Sequence, residues 1–403
     1  MRRTITHIYP VPIFGIVSEN GTPEKVRIRS LDLYKGIAIL GIIAVHVIIF
    51  PSMQQGETEG SGLPLVVQGL YLGLLGFFAI SGYFYRPNRG FANNVKKRLS
   101  ILGLGYLACS LILPLLLCLE MAVCGPNSPS VEDYGNALKW IYCSPTLWLV
   151  YDAQNYYASC AVAIGYYYIQ IMLVAFLVFY LVADRIICSW KRLLVTCIVL
   201  VTIQTLLVQY FPYNLPFHCH ELPIAVMFML LGAFAGQYRL VERAEFNGGW
   251  RNKYVLLGIG ICVLITAVLT YLFPPGTGFN DASFGDNGGW SVPPFAVNAA
   301  AMIMVEVYIC ILLSKIPLIS TFIMYLGRHT LSLMLLNGFV IKMLIIPFYE
   351  IPHNTWFPPL EFGVQMTIYA MCVIVPILIS NIVVKHLAPF FFKYVGKDTG
   401  SPL

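Results

Sequence analysis

The chain has 403 residues and a net charge of +6, with 58% hydrophobic and only 11% charged residues. A soluble domain carries about 25% charged residues, so a water-soluble fold is excluded. The positive balance does not indicate a nucleic-acid partner, because the basic residues sit at the ends of apolar runs rather than in one patch.

The mean hydropathy is +0.75. Apolar runs of about 20 residues suit helices, and nothing resembles the alternating strands of a barrel. Backbone polar groups in hydrocarbon must be satisfied within the segment. The expected fold is therefore all-α: a polytopic transmembrane helical bundle of about ten spans, multi-pass in the cell inner (plasma) membrane.

A polar arm, residues 1–29, opens the chain, and no cleavable leader is expected there. The runs follow as Leu31–Phe50, Leu65–Tyr85, Leu99–Cys124, Cys160–Ala183, Leu193–Phe211, Leu222–Gln237, Tyr254–Phe273, Pro294–Ser314, Thr330–Phe348 and Phe362–Val384. Ile316–Leu326 is apolar but too short to span, and reads as an interfacial or re-entrant helix. Residues 389–403 form a tail.

The positive-inside rule tests this division, having played no part in choosing it. Arg2, Arg3, Lys25, Arg27 and Arg29 precede the first run, and Arg86, Arg89, Lys96, Lys97 and Arg98 follow the second. Arg185, Lys191 and Arg192 follow the fourth, and Arg239, Arg243, Arg251 and Lys253 the sixth. Lys315 and Arg328 flank the short helix, and Lys385, Lys393 and Lys397 end the chain. The alternate loops hold Glu57, Glu59, Glu132, Asp133, Asp152, Asp281 and Asp286, with Lys139 as their basic residue. Both termini are thereby expected in the cytoplasm.

Of the 11 cysteines, Cys109, Cys188, Cys197, Cys262, Cys310 and Cys372 lie in or beside apolar runs and read as small hydrophobes. Cys124, Cys143, Cys160 and Cys219 lie near outer loops, where a disulfide can form. No bound metal or cofactor is expected. The outer segment 125–159 carries Trp148, Tyr151 and Asn155, side chains that stack on and hydrogen-bond to a sugar; a belt of aromatic residues at the membrane interface has the same composition.

Charges inside spans are costly, about 2.5–3.5 kcal/mol each on the most lenient scale, so the few present are informative. The first span holds Asp32, Lys35 and His46. Lys35 and His46 lie about 20° from a common helical face and about 16 Å apart along the axis. Asp32 is one turn below Lys35. The simpler alternative has Asp32 and Lys35 snorkelling to the interface and His46 packed without a role. Glu306 sits in mid-span and needs an interior partner, while Ser81 closes a small-residue stretch that allows close helix approach.

These residues resemble those of the membrane-bound acyltransferase 3 family. The resemblance rests on 29–38 (RSLDLYKGIA) with His46, on 77–83 (FFAISGY), on 96–99 (KKRL), on 229–232 (MLLG) and on 325–331 (YLGRHTL). It places the transmembrane domain at 30–388 and is closest to O-acetylases of bacterial surface sugars. Asn337 stands where the family often has a histidine, Ile101 where a second arginine often follows, and Gly105 where proline is common. The resemblance implies transfer of an acyl group, usually acetyl, from acyl-coenzyme A as co-substrate to a hydroxyl of a cell-surface glycan or its lipid-linked precursor. His46, Lys35 and Ser81 are then the expected catalytic group, supported by Asp32 and Glu306. Arg86, Lys96, Lys97 and Arg98 would face the donor phosphates, and Trp148, Tyr151 and Asn155 the acceptor. The fused hydrolase-like domain of many members is not expected here. The expected partners are acyl-coenzyme A, the saccharide acceptor and membrane lipids. The rival reading is a proton-coupled transporter or flippase of a polar or glycolipid substrate, since buried Lys, His and Glu also make a proton relay. Against it, no inverted repeat is visible.

Overall fold

The computed structural model describes residues 27–44, 47, 75–87, 90–103, 166–210, 219, 221–246, 248–273, 291–345 and 362–382. Among these residues the ordered secondary structure is helical throughout. In chain order the helices are α1 (Arg29–Ala44), α2 (75–83), α3 (Phe91–Arg98, continued by a wider turn at Leu99–Gly103), α4 (Tyr166–Ile186) and α5 (Trp190–Tyr210). There follow α6 (Leu222–Gln237), α7 (Leu240–Phe246), α8 (Lys253–Leu272) and α9 (Val292–Leu313). The last are α10 (Pro317–Arg328), α11 (Thr330–Ile345) and α12 (Phe362–Ile382). His46, Trp148, Tyr151, Asn155, Cys124, Cys143, Cys160 and most of the expected third span lie outside the described residues.

Among the described residues five helices, α4, α5, α8, α9 and α12, are long and apolar enough to cross a membrane. At 1.5 Å per residue such helices measure about 30 Å, the thickness of a hydrocarbon core. A sixth crossing arises if α6 and α7, bent by 51° at Tyr238–Arg239, are taken as one broken span. Arg239 absorbs that bend with a φ of 51°. The short apolar segment after α9 is a 12-residue helix, α10, with Leu318 and Phe322 exposed and Leu326 fully buried.

α1 is the hub. Its residues from Ser30 to Ile39 are buried with few exceptions, and it packs on α10, α9, α11 and α12. α6 is the second hub, against α4 and α5. Two close crossings hold the bundle, both needing glycine. A Cβ on Gly327 of α10 would overlap the carbonyl oxygen of Asp32, and one on Gly232 of α6 would overlap that of Ala79 on α2. Removing the side chain lets the backbones touch, the usual device where lipid supplies no hydrophobic drive between helices. By contrast α5 and α8 lie at the periphery. In α8 only Cys262 is buried.

The segments rich in basic residues converge at one end. Glu245 of α7 accepts hydrogen bonds from the backbone N–H groups of Arg29 and Ser30, both 3.2 Å, and from Ser30 Oγ at 2.5 Å. It thus caps α1 from another helix, meeting orphan donors at the positive end of the helix dipole. Glu242, one turn away, accepts from the hydroxyl of Tyr83 at the end of α2. The carbonyl of Trp250 accepts from Tyr308 of α9 at 3.1 Å. The starts of α1 and α8 and the ends of α2, α6 and α9 therefore share one face of the bundle.

Candidate functional site

Asp32 and Lys35 lie on one side of α1, one turn apart, with Lys35 Nζ 2.9 Å from Asp32 Oδ1. Both are buried, at 3% and 7% exposure. Arg27 closes the other carboxylate oxygen, its Nε 2.5 Å from Asp32 Oδ2. A carboxylate taken out of water needs its lone pairs met by charged donors, and two cations supply this. The tight α1–α10 crossing shields the Asp32–Lys35 pair, since Gly327 rests on the backbone at Asp32 and a Cβ on Gly36 would overlap Ile323, while Arg27 stays exposed. Lys35 is therefore held, not snorkelling: its stem and ammonium are enclosed by neighbouring helices.

One residue earlier, Tyr34 points to α9 and donates to Glu306 Oε2 at 2.8 Å. Its hydroxyl fills the notch left by Gly76 on α2, where a Cβ would collide with it. Three helices thus meet at one phenol. Spacing within a span reveals that Glu306 needs a partner, but Tyr34 is 272 positions away. Its adjacency to Lys35 is the only sequence signal.

Ser81 is half-buried on α2, beside Gly82, whose added Cβ would overlap the carbonyl of Met229 on α6. The basic residues after α2 divide into two sorts. Arg86 and Lys96 are exposed, and Lys97 is intermediate. Arg98 is half-buried, with its guanidinium 4.6 Å from the centroid of the Phe176 ring and Nε donating to Tyr180 at 3.3 Å. Tyr180 stacks between Phe176 and Tyr85, and Tyr85 donates to Asp184 at 2.7 Å. Arg98 is thus seated by an aromatic column on α4, through a cation–π contact and a hydrogen bond. That column was not visible from the run 96–99 alone. Cys219 carries a free thiol.

These features define a class: a multi-pass helical membrane protein with a buried Asp32–Lys35 ion pair on its central helix, joined by the exposed Arg27 and lying toward an end rich in exposed cations. A family model described as an acyltransferase domain matches residues 28–380. The chain therefore belongs to the acyltransferase 3 family, and is a membrane acyltransferase. No curated protein and no solved structure matches it.

Proposed function

We propose that the chain moves an acyl group, acetyl in the usual case, from cytoplasmic acyl-coenzyme A to a hydroxyl of a cell-surface glycan or its lipid-linked precursor. The proposal includes ten spans across the inner membrane, a transmembrane domain at 30–388 and both termini in the cytoplasm. The observation that carries it is the Asp32–Lys35 pair, buried at 2.9 Å beside the basic end of a family acyltransferase domain.

The chemistry needs a base, a charged group that holds the donor and a field that attracts it. His46 takes the proton of the acceptor hydroxyl as its oxygen attacks the thioester carbonyl; the C–S bond breaks and the thiolate leaves with a proton to become coenzyme A. An imidazole titrates near neutrality, which suits both proton transfers. Lys35, oriented by Asp32 and about 16 Å along the axis from His46, holds the negatively charged part of the donor, so that the extended arm of coenzyme A presents its thioester near His46. Glu306 supports α1 through Tyr34, while Ser81, near the end of α2, lies on the basic face where the donor arrives. Arg86, Lys96, Lys97 and Arg98 raise the local concentration of a donor that carries phosphates. Trp148, Tyr151 and Asn155 receive the saccharide.

The test is direct. Membranes holding the protein should release free coenzyme A thiol from acetyl-coenzyme A only when acceptor saccharide is present, and mass spectrometry should find the acceptor heavier by one acetyl group. A transporter or flippase would leave the thioester intact.

A further inference from the structure

Away from the Asp32 triad, three cations gather where α8 leaves the basic end. The turn Gly249–Arg251 presents the half-buried indole of Trp250. Arg251 Cζ lies 4.5 Å from the ring centroid, and Lys315 Nζ, from the loop between α9 and α10, lies 4.4 Å from it. Lys253 stands beside them, its Nζ 5.2 Å from the ring of Tyr254. All three cations are exposed, and none has a carboxylate within ion-pair reach among the described residues. The carboxylates of the adjacent α7 are engaged elsewhere, Glu242 by Tyr83 and Glu245 by the start of α1. Two segments far apart in sequence thus converge their positive charges on one ring and leave them uncompensated. A topology signal asks for basic residues on one side of the membrane, not for their convergence on one side chain.

The neighbouring surface says what the counter-ion carries. Directly above the turn, α8 exposes Tyr254, Leu256, Leu257, Ile261 and Leu264. An indole at the foot of an exposed apolar helix, with cations gathered around it, matches the interfacial, headgroup and acyl-chain parts of one lipid molecule. We propose that Trp250, Arg251 and Lys315, flanked by Lys253, form a headgroup site for an anionic phospholipid whose acyl chains lie along α8. The ligand chemistry is an anionic phosphate group, which free phosphate and coenzyme A also offer. The apolar flank favours the lipid.

The test uses the full chain in phosphatidylcholine bilayers containing phosphatidylglycerol, with retained lipid counted by native mass spectrometry. A photoactivatable phosphatidylglycerol is then mapped to peptides. The expected crosslinks fall on the peptides holding Trp250 and Lys315. Arg251→Gln with Lys315→Gln should lower retention by about fivefold for each charge removed. Arg251→Lys with Lys315→Arg should keep it. Lys191→Gln, which removes an exposed cation 5.9 Å from the Trp190 ring, should change nothing. Four results would overturn the proposal: equal retention in the wild type and the double glutamine variant, an equal loss in Lys191→Gln, crosslinks mapped to other helices, or displacement of the crosslink by millimolar inorganic phosphate or coenzyme A. Crosslink mapping on the wild type decides the matter even if the glutamine variant fails to insert.

Discussion

Helices α1 and α8 are both apolar, yet they were built for opposite surroundings. α1 carries Asp32, Tyr34 and Lys35 and buries all three. α8 has no charged residue beyond Lys253 at its first position, and faces outward along nearly its whole length. Their glycines differ in the same way. A Cβ at Gly36 of α1 would overlap Ile323, whereas one at Gly258 or Gly260 of α8 would meet nothing within 4 Å. Hydrophobicity alone therefore does not separate a hub from a lipid-facing helix in this bundle. Glycines set against a neighbouring backbone do so in both hubs, Gly36 in α1 and Gly232 in α6, and in α1 the buried ionisable residues do so too, because inside hydrocarbon each must be given a partner.

The largest effect should come from filling a crossing. Gly327→Leu forces α10 off the backbone of Asp32, and no folded monomer should be recovered after detergent extraction and size-exclusion chromatography. Gly258→Leu, the matching change on α8, should give a normal peak. Equal behaviour of the two would mean that the crossings do not set the packing.

Next in size is the loss of the proposed base. His46→Ala should lower acylation by about 10²–10⁴-fold while leaving protein level and insertion unchanged. His46→Gln should do the same, since an amide does not take the proton. A well-inserted His46→Ala variant with near wild-type glycan modification would make His46 a packing residue.

Breaking the buried pair comes third. Asp32→Asn leaves Lys35 charged and enclosed without its carboxylate, an outcome that costs about 3–5 kcal/mol in comparable buried pairs. Thermal unfolding in detergent should show a clear loss, and Asp32→Glu should restore part of it. Unchanged stability would place water at the site.

The smallest effect concerns the exposed Arg86 and Lys96 and the half-buried Lys97 beside them. Neutralising Arg86, Lys96 and Lys97 should raise the KM for acyl-coenzyme A at low ionic strength, with the difference shrinking as salt screens exposed charge. Arg98 should behave differently, because Phe176 and Tyr180 hold it: Arg98→Gln should also loosen α3 from α4, seen as faster proteolysis between them. A KM unmoved at low salt would leave the cluster as a topology signal alone.

Several elements were legible in the sequence nearly to the residue. Leu222–Gln237 is α6 itself, and Pro294–Ser314 matches α9 within two positions at either end. Long apolar runs ended by cations state their own limits. The short helix after α9 was legible too, because 12 residues cannot reach across a bilayer. The Asp32–Lys35 contact followed from a one-turn spacing on one helix. What could not be read were contacts set by helix neighbours: Tyr34 with Glu306, Arg98 on Phe176, and Glu245 on the start of α1. The last group is instructive, since Asp184, Glu242 and Glu245 lie at the basic end among the cations. Carboxylates carry little weight in setting topology, and here they tie helix ends together.

The central claim is that the buried Lys35 serves acyl transfer and does not merely complete an ion pair. It is tested most directly by acetyl transfer from labelled acetyl-coenzyme A in three variants matched for insertion: Lys35→Ala, Lys35→Arg and the paired Asp32→Ala/Lys35→Ala. The paired variant removes the buried carboxylate together with its buried ammonium, so it should regain stability lost in Lys35→Ala without regaining activity. Lys35→Arg keeps the charge and should retain part of the rate. If the paired variant transfers acetyl at near wild-type rate, the ion pair is structural and the catalytic role of Lys35 is contradicted.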